Sequence, residues 1–128
     1  MGWRCLNTCS RYATFSIRGL LLVKVYESED GKRPFDEWLR SLKDPIARAT
    51  VRARVDRVAE GNPGDAKPVG SGVSELRIHY GPGYRIYLAQ RNRLVLLLCG
   101  GSKKTQTSDI VRAVRYWKDY LKRNASEC

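Results

Sequence analysis

The chain has 128 residues, which suffices for one domain with a hydrophobic core but not for two domains that fold independently. Lysine and arginine number 24 against 13 aspartate and glutamate residues, and the resulting formal charge of +11 predicts a polyanionic or acidic partner. The longest apolar runs, residues 19–25 and 94–99, fall far short of the roughly 20 residues that a membrane-spanning helix requires, which excludes a protein of that class.

The four cysteines stand at Cys5, Cys9, Cys99 and Cys128 and form no CxxC pair. This spacing is typical neither of a zinc site nor of a disulfide framework, so we expect no metal, no cofactor and a reducing cytoplasm. Cys99 lies within an apolar run, and we expect it to be a small core residue.

The first 19 residues differ from the rest of the chain in composition. They include arginines but no acidic residue, and their apolar residues follow neither a helical nor a strand period. A signal peptide would need a longer apolar stretch than residues 20–23 provide, and a small-residue cleavage site. We therefore expect residues 1–19 to be a disordered extension or the product of a start codon assigned too far upstream, and residues 20–124 to form the domain.

One strand and two helices are predicted in the first half of the domain. Residues 20–26 are β-branched and apolar, and a polar turn ends that strand. A helix then begins at Pro34, since proline suits a first helical turn, and its apolar residues recur at helical spacing. The dipeptide Asp44-Pro45 ends this helix and starts another, which runs to about Glu60 with its valines on one stripe and its arginines elsewhere.

A β-hairpin is predicted next, after a loop at residues 65–72 that is rich in glycine and proline. A strand is predicted at residues 73–80, because Leu76, Ile78 and Tyr80 alternate with polar residues, which is typical of a strand with one buried face. The Gly-Pro-Gly sequence at 81–83, taken as a three-residue loop, sets the register of the return strand. The polar face carries Glu75, Arg77 and His79. The predicted cross-strand pairs are Tyr80 with Tyr84, His79 with Arg85, Ile78 with Ile86 and Arg77 with Tyr87.

The last predicted elements are a strand and a helix. Residues 93–99 form an apolar run without alternation, which is typical of a central strand covered on both sides. A final helix follows Gly100-Gly101, with Thr105 or Thr107 as its cap. Its buried stripe is predicted to consist of Ile110, Ala113, Val114, Trp117 and Leu121.

Together these elements predict a single small α+β domain in the order β-α-α-β-β-β-α. A curved, mainly antiparallel sheet of four strands would carry two helices from the first half of the domain and the C-terminal helix on its apolar face. Its basic face would be left open, and a functional site is expected there.

The predicted open face combines basic and aromatic side chains. Its members are Arg77, His79, Arg85 and Tyr87, with Lys103 and Lys104 just past the end of the neighbouring strand. Arginine and lysine bind phosphates, and an aromatic ring can stack on a single-stranded base. Scission of RNA by its own 2′-OH needs a base at that hydroxyl, an acid at the leaving 5′ oxygen and cations that stabilise the charge on phosphorus. No metal is needed if the side-chain cations suffice.

Each of these residues also has a purely structural interpretation. An arginine on a strand face is most often solvated, and a single histidine such as His79 is most often a surface or hydrogen-bonded structural residue. Tyr87 stacks on a base in one interpretation and only covers the sheet in the other. The arginines from Arg48 to Arg57 form either a solvated face or a docking strip for ribosomal RNA or an acidic partner.

Several separated motifs resemble one known group of proteins. They are YESEDG at 26–31, PFxEWL at 34–39, ELRI at 75–78, GPGYRIY at 81–87 and GGxKxxQxxDI at 100–110. In their order and spacing they are similar to the HigB-like "addiction module killer" branch of the RelE/ParE toxin superfamily. The resemblance covers roughly residues 23–122.

The resemblance implies a RelE/ParE-like fold and a small cytoplasmic toxin of a type II module. A co-encoded antitoxin, usually with a helix-turn-helix DNA-binding domain, would neutralise it. Many relatives are endoribonucleases that cut mRNA in the ribosomal A site without a metal. By motif, Arg77 and Arg85 would hold the scissile phosphate or stabilise its transition state, and Lys103 would add a third cation. Tyr87 or His79 would transfer a proton. We further expect RNA contacts from Lys104, Arg54, Arg57 and Lys67.

The chain departs from the better-known RelE-like nucleases at one position. Those proteins have a functional tyrosine shortly after the basic motif that ends the last strand, where this chain has Ser108, Asp109 and Ile110. Either another residue takes the acid/base role or the rate depends on positioning by the ribosome. ParE-like toxins of the same superfamily poison DNA gyrase without nuclease activity, so a non-catalytic toxin or binding protein is the alternative. The basic cluster favours the nuclease.

Overall fold

The computed structural model describes residues 13–15 and 21–125, which form a small α+β domain of the predicted class. In chain order the elements are β1 (Ala13–Phe15), β2 (Leu22–Val25), α1 (Pro34–Ser41), α2 (Pro45–Ala59), β3 (Ala66–Gly70), β4 (Val73–Ile78), β5 (Tyr84–Arg91), β6 (Leu94–Ser102), a 3₁₀ turn (Lys103–Thr105) and α3 (Gln106–Arg123). Among the helices in these residues, none is long and apolar enough to cross a membrane.

The strands form one sheet in the order β1-β2-β6-β5-β4-β3, in which only β2 and β6 run parallel. Five strands lie between residues 22 and 102 and β1 adds a short sixth, so the predicted count of four was wrong. Part of the predicted loop at 65–72 is the edge strand β3, which pairs with β4 across an irregularity between Pro68 and Gly70. Proline lacks the N–H that an interior strand donates, and an edge position tolerates it.

The strand β1 lies within the segment that the sequence predicts to be an extension. It pairs antiparallel with β2, with Thr14 opposite Val23, so these three residues belong to the sheet. Residues 1–12 and 16–20 lie outside the described residues. The predicted domain boundary at residue 20, with an extension or mis-assigned start before it, therefore stays a prediction.

The two helices of the first half begin and end where the sequence predicts. Pro34 occupies the first turn of α1, and Phe35 and Leu39 are buried on its inner face. Asp44 caps α2, because its side chain accepts a hydrogen bond from the backbone N–H of Ile46 at 2.9 Å, and a cap of this kind contributes about 1 kcal/mol. Both signals are local, which is why the sequence alone locates these helix ends.

Helices cover both faces of the sheet, so the prediction of one open face was wrong. Helices α1 and α2 pack on one face, in a cluster that includes Leu76, Ile86 and Val51. Helix α3 packs on the other, in a cluster that includes Tyr87 and Trp117. The physical reason is that β6 is apolar on both sides and α3 has its own apolar stripe, which would otherwise be exposed to water. Cys99 is fully buried in this second cluster, as predicted.

Two consecutive glycines at the end of β6 let helices approach the sheet on both faces. A Cβ at Gly100 would overlap the ring of Trp38 in α1, and a Cβ at Gly101 would overlap the Asp109 carboxylate in α3. Since neighbouring residues of a strand point to opposite faces, this dipeptide serves both helix layers at one level of the sheet.

We expect Gly100→Ala to lower the free energy of unfolding by about 1–3 kcal/mol, because the added methyl group forces the Trp38 ring out of its packed position. Urea denaturation measures this loss. Thr107→Ala, on the exposed side of α3, is the control and should change stability by less than about 0.5 kcal/mol. A Gly100→Ala protein as stable as that control would show that the close approach of α1 is dispensable.

The register of the β4–β5 hairpin differs from the predicted one by two residues. Arg77 lies opposite Arg85, and Glu75 lies opposite Tyr87. The connection spans residues 79–83 because Tyr80 leaves the strand: its hydroxyl donates to Asp44 Oδ2 at 2.7 Å, and its carbonyl accepts from Gly83 N at 3.0 Å. A shift of two residues preserves the face on which each side chain lies, so the predicted faces hold although the pairs do not.

Candidate functional site

Arg77 and Arg85 are cross-strand neighbours on the face of the sheet that α3 covers. Glu75 and Tyr87 form the next pair along the same two strands and share that face. The two arginines thus lie side by side, as the sequence predicts, but beneath the first turn of a helix and not on an open surface. Their side chains are 33% and 13% exposed, respectively.

Glu75 is the centre of this site, and its side chain is completely buried. Its Oε1 accepts hydrogen bonds from Arg77 Nε at 3.2 Å and Arg85 Nη1 at 3.1 Å. Its Oε2 accepts from Tyr87 Oη at 3.0 Å and from Gln106 Nε2 at 2.7 Å. One carboxylate therefore fixes two guanidinium groups, and the sum of the three charges is +1.

The environment of Glu75 favours its ionised form. Burial raises the pKa of its carboxyl, but hydrogen bonds from Gln106, Arg77 and Tyr87, with the positive charge of Arg85, more than offset burial and hold the pKa below its ordinary value. The reverse holds for Tyr87, because burial and the hydrogen bond to the Glu75 carboxylate raise the pKa of its phenol. The network is therefore a carboxylate with neutral and cationic donors.

We expect the free energy of unfolding to fall as the pH drops below about 4.5, the ordinary pKa of a glutamate side chain. The folded protein binds this proton less readily than the unfolded chain, so the stabilisation is complete above that pH and is lost as the pH falls towards the folded-state pKa. A difference of one bound proton between the folded and unfolded states changes the free energy of unfolding by about 1.4 kcal/mol per pH unit. Urea unfolding from about pH 6 to about pH 3 measures this, and Glu75→Gln should show a shallower dependence. Superimposable pH profiles for the two proteins would contradict it.

Tyr87 is fully buried, so its ring is not available to stack on a base, and that interpretation of the sequence was wrong. The other interpretation, a tyrosine that covers the sheet, is correct, because α3 residues pack against its ring. Its raised pKa and its bond to Glu75 also leave it poorly suited to proton transfer, the second role predicted for it.

His79 lies outside β4, at the start of the hairpin loop, and its side chain is 75% exposed. Its Nε2 is 2.7 Å from Asp65 Oδ2, and this hydrogen bond lowers the pKa of the Asp65 carboxyl. The same Asp65 accepts the backbone N–H of Arg77 through its carbonyl at 3.0 Å. His79 is thus linked to the site through a loop and not through the Glu75 network.

The lysines of the 3₁₀ turn stand at one end of the site. Lys103 and Lys104 are exposed, and the backbone N–H of Lys103 donates to the carbonyl of Gly83 at 3.2 Å. That bond ties the turn to the hairpin loop two residues before Arg85. Lys67 approaches from the opposite side: it is exposed on β3 and pairs with Glu75 in the sheet register. These cations border the buried network with side chains that solvent reaches.

Arg54 and Arg57 are not brought to this face, because they lie on α2 across the sheet. The Arg54 guanidinium donates to three backbone carbonyls, those of Pro63, Arg77 and Asp65, at 2.7, 2.7 and 2.9 Å. It therefore fastens the loop before β3 to the end of β4. Arg57 is exposed on α2, so an RNA contact by either residue would have to be separate from the Glu75 site.

Three residues stand where better-known nucleases have a tyrosine, and two of them have structural roles. Asp109 is buried, and its carboxylate accepts from the Thr105 hydroxyl and from Arg112 Nη1 at 3.0 Å. Ser108 Oγ donates to the carbonyl of Thr105 at 3.1 Å.

Within residues 13–15 and 21–125, no group of three or more His, Cys, Asp or Glu side chains could hold a metal ion.

Sequence reasoning named both arginines but missed Glu75 and Gln106. The signal for Glu75 was present, since an acidic residue two positions before Arg77 must share its face of the strand. Gln106 is part of the motif GGxKxxQxxDI, but that motif does not indicate its contact with Glu75, which joins residues 31 apart in the chain.

Comparison with known proteins assigns the family. A model of the phage-derived Gp49-like (DUF891) proteins matches residues 37–116, more than half of the chain and the part that contains both arginines, Glu75 and most of α3. An uncharacterized protein of Haemophilus influenzae (strain ATCC 51907 / DSM 11121 / KW20 / Rd) is 52% identical over 80 residues, which cover 62% of this chain and 81% of that protein. The chain belongs to the Gp49-like (DUF891) family, a RelE/ParE-like family of addiction module killer proteins.

Proposed function

We propose that this chain is the toxin of a type II toxin–antitoxin module, of the HigB-like branch, and that it cleaves messenger RNA on the ribosome in the cytoplasm. The observation that carries the proposal is the pair of guanidinium groups that Glu75 holds side by side. The carboxylate uses one N–H of each, and the remaining donors of a one-third-exposed Arg77 reach solvent. Such a preorganised pair fits a phosphate group.

Arg85 adds a second feature that favours an anionic ligand. Its Nε is buried and has no hydrogen-bond acceptor among the residues that the structure describes. Buried donors without an acceptor are rare in folded proteins, and a phosphate oxygen would be an acceptor of the right charge if the Arg85 side chain moved to expose its Nε. Lys103 at the border of the site would contribute the third cation.

The proposed reaction uses the substrate's own nucleophile. The 2′ oxygen attacks the adjacent phosphorus, the bond from phosphorus to the 5′ oxygen breaks, and the products are a 2′,3′-cyclic phosphate and a 5′-hydroxyl. Arg77, Arg85 and Lys103 would stabilise the added negative charge on the phosphoryl oxygens. The proton leaves the 2′-OH and another reaches the 5′ oxygen.

Proton transfer is the part of the reaction that this chain supports least. The Tyr87 hydroxyl is buried and donates to Glu75, and the His79 side chain is exposed beside Asp65. We therefore infer that positioning of the mRNA by the ribosome supplies much of the rate, as geometric constraint does in other strongly oriented reactions. His79 is the remaining protein candidate for the acid or base.

An antitoxin is the expected protein partner. The cations around the site attract an acidic segment, and a chain that folds on binding can cover a large charged area. Occlusion of Lys103, Lys104 and Arg77 would keep RNA from the site. A helix-turn-helix protein encoded beside the toxin is the kind of antitoxin that the resemblance implies.

A non-catalytic toxin, such as a ParE-like gyrase inhibitor, is the second candidate function. The burial of Arg85 favours it, because a guanidinium that is only 13% exposed and bound to a buried carboxylate can be part of a polar core and nothing more. In that case the surface residues, and not the Glu75 site, would contact the target.

Primer extension on mRNA in a purified translation system distinguishes the two functions. We expect new 5′ ends within the translated region when ribosomes are present, and none with Arg77→Ala, whose side chain is the more exposed of the two arginines. A gyrase supercoiling assay with the same protein runs in parallel. Intact mRNA together with inhibited supercoiling would refute the nuclease and establish the alternative.

A further inference from the structure

Helix α3 and the 3₁₀ turn before it present an exposed stripe that contains four cations and no carboxylate, which we call the α3 ridge. Its members, all exposed, are Lys104, Ser108, Val111, Arg115, Lys118 and Lys122. They recur at intervals of four and three residues, so they share one side of the helix. At 1.5 Å per residue the ridge extends for about 27 Å.

The ridge contains no acidic residue. The two aspartates of α3 face elsewhere: Asp109 is buried, and the carboxylate of Asp119 accepts hydrogen bonds from Tyr26 at 2.6 Å and Arg123 at 3.0 Å. In the part of the chain that the structure describes, no carboxylate lies within ion-pair distance of Arg115, Lys118 or Lys122. Among the described residues these three cations therefore form no ion pair, and only Lys122 has a carboxylate near enough, that of Asp119, for their charges to interact.

The ridge also contains no aromatic side chain on which a base could stack. Trp117 is buried, and Tyr116 lies beneath the guanidinium groups of Arg112 and Arg115, at 5.8 and 5.6 Å from the ring centroid. Surfaces that bind single-stranded nucleic acid combine cations with exposed aromatic rings. Exposed cations along one side of a helix, without such rings, suit the phosphates of a double helix, and duplex RNA is recognised mainly through its shape and backbone.

The ridge is rigidly connected to the Glu75 site. It begins at Lys104 in the 3₁₀ turn, whose neighbour Lys103 bonds to the hairpin loop, and the first residue of α3, Gln106, donates to Glu75. The opposite end is fixed as well, because Arg123 Nη2 donates to the carbonyl of Glu27 at 2.6 Å. A duplex on the ridge would thus stand at a fixed position relative to Arg77 and Arg85.

We propose that the α3 ridge is a docking surface for the backbone of double-stranded RNA, which holds a helical RNA segment beside the Glu75 site. The choice of RNA over DNA rests on the proposed function. The ridge would bind an RNA stem by its phosphates, and the single strand that leaves the stem at the Lys104 end would lie next to the two arginines.

The test is a triple variant, Arg115→Gln, Lys118→Gln and Lys122→Gln. Fluorescence anisotropy measures its binding to a labelled RNA hairpin of about 16 base pairs and to an unpaired RNA strand of equal length. We expect the slope of log affinity against log salt concentration to fall by about 3 for the hairpin, one for each phosphate contact removed. At about 0.1 M salt the hairpin should bind at least about tenfold more weakly, and the unpaired strand should be affected less.

A matched control removes the same charge from the opposite side of the sheet. Lys32→Gln, Arg40→Gln and Lys43→Gln alter three exposed cations on α1 and in the segments that flank it, and hairpin binding should stay at the wild-type level. Since Arg115 contacts the Tyr116 ring, a double variant, Lys118→Gln and Lys122→Gln, leaves that contact in place and should lower the slope by about 2.

Three results with nucleic acids would overturn the proposal. They are wild-type hairpin affinity in the triple variant, an equal loss in the control, which would reduce the effect to net charge, and a preference for a DNA hairpin over the RNA hairpin. None of these measurements depends on RNA cleavage. The proposal for the ridge can therefore be refuted while nuclease activity is established, and nuclease activity can be refuted while the ridge is shown to bind duplex RNA. Binding of an acidic antitoxin peptide to the ridge with no binding of RNA would likewise refute it.

Discussion

Replacing Arg85 with alanine is expected to slow ribosome-dependent mRNA cleavage by about 100- to 1000-fold, the usual cost of removing one preorganised donor from a developing oxyanion. Glu75 holds this guanidinium at 3.1 Å beside Arg77, so it is oriented before the substrate arrives. Single-turnover cleavage at saturating protein concentration measures the effect. Arg85→Lys keeps the charge but loses the planar array of donors. We expect its cleavage rate to lie between those of the wild type and Arg85→Ala.

A stability control is needed for this experiment. Because Arg85 is only 13% exposed and donates to a buried carboxylate, alanine is also expected to cost about 1–3 kcal/mol of unfolding free energy. Ile86→Val lies on the opposite face of the same strand, costs about 0.5–1.5 kcal/mol and should cleave at nearly the wild-type rate. If Arg85→Ala cleaves as fast as Ile86→Val, Arg85 is a core residue without a role in the reaction.

Glu75→Ala is expected to lower the free energy of unfolding by about 3–5 kcal/mol, the usual cost of removing one partner from a buried ion pair. The substitution leaves Arg85 and the buried hydroxyl of Tyr87 without their acceptor, and it cuts the tie between Gln106 and the sheet. Urea denaturation gives the value. Part of the loss would appear as fraying of the first turn of α3, which faster amide hydrogen exchange there would report.

Two further variants test whether the lost carboxylate causes the loss of stability in Glu75→Ala. Glu29→Ala removes an exposed carboxylate and should change stability by less than about 0.5 kcal/mol. Glu75→Gln keeps the volume and one acceptor oxygen but removes the charge, so it should recover part of the loss. A Glu75→Ala protein that loses less than about 1 kcal/mol would mean that water or rearranged side chains replace the carboxylate, and that Glu75 does not hold the site together.

The fold was largely predictable wherever the controlling signals are local. Pro34 and Asp44 mark the helix starts next to them, and the alternation of residues 75–78 defines the faces of its own strand. These helix starts and strand faces agree with the structure. The segment at 66–70 was missed because an edge strand with a proline and an exposed glycine has no alternating pattern, and only its pairing with β4 makes it a strand.

The candidate site was predictable in its members but not in its arrangement. Residue type and strand period place Arg77, Arg85 and Tyr87 on one face, and the structure agrees. Their burial was not predictable, because it depends on α3 folding back over that face. The hairpin register was also beyond the local pattern, since a contact between Tyr80 and Asp44, 36 residues apart, decides where β4 ends.

The sequence by itself determined the order of the central elements, the faces of the hairpin strands and the surplus of positive charge, because periodicity and composition are properties of neighbouring residues. Only the tertiary structure decided that two arginines, a tyrosine and a glutamine converge on Glu75, and that α3 turns a basic ridge outward beside them. Those relations join residues far apart in the chain. They arise because two apolar surfaces, one on the sheet and one on α3, lower their free energy by burying each other.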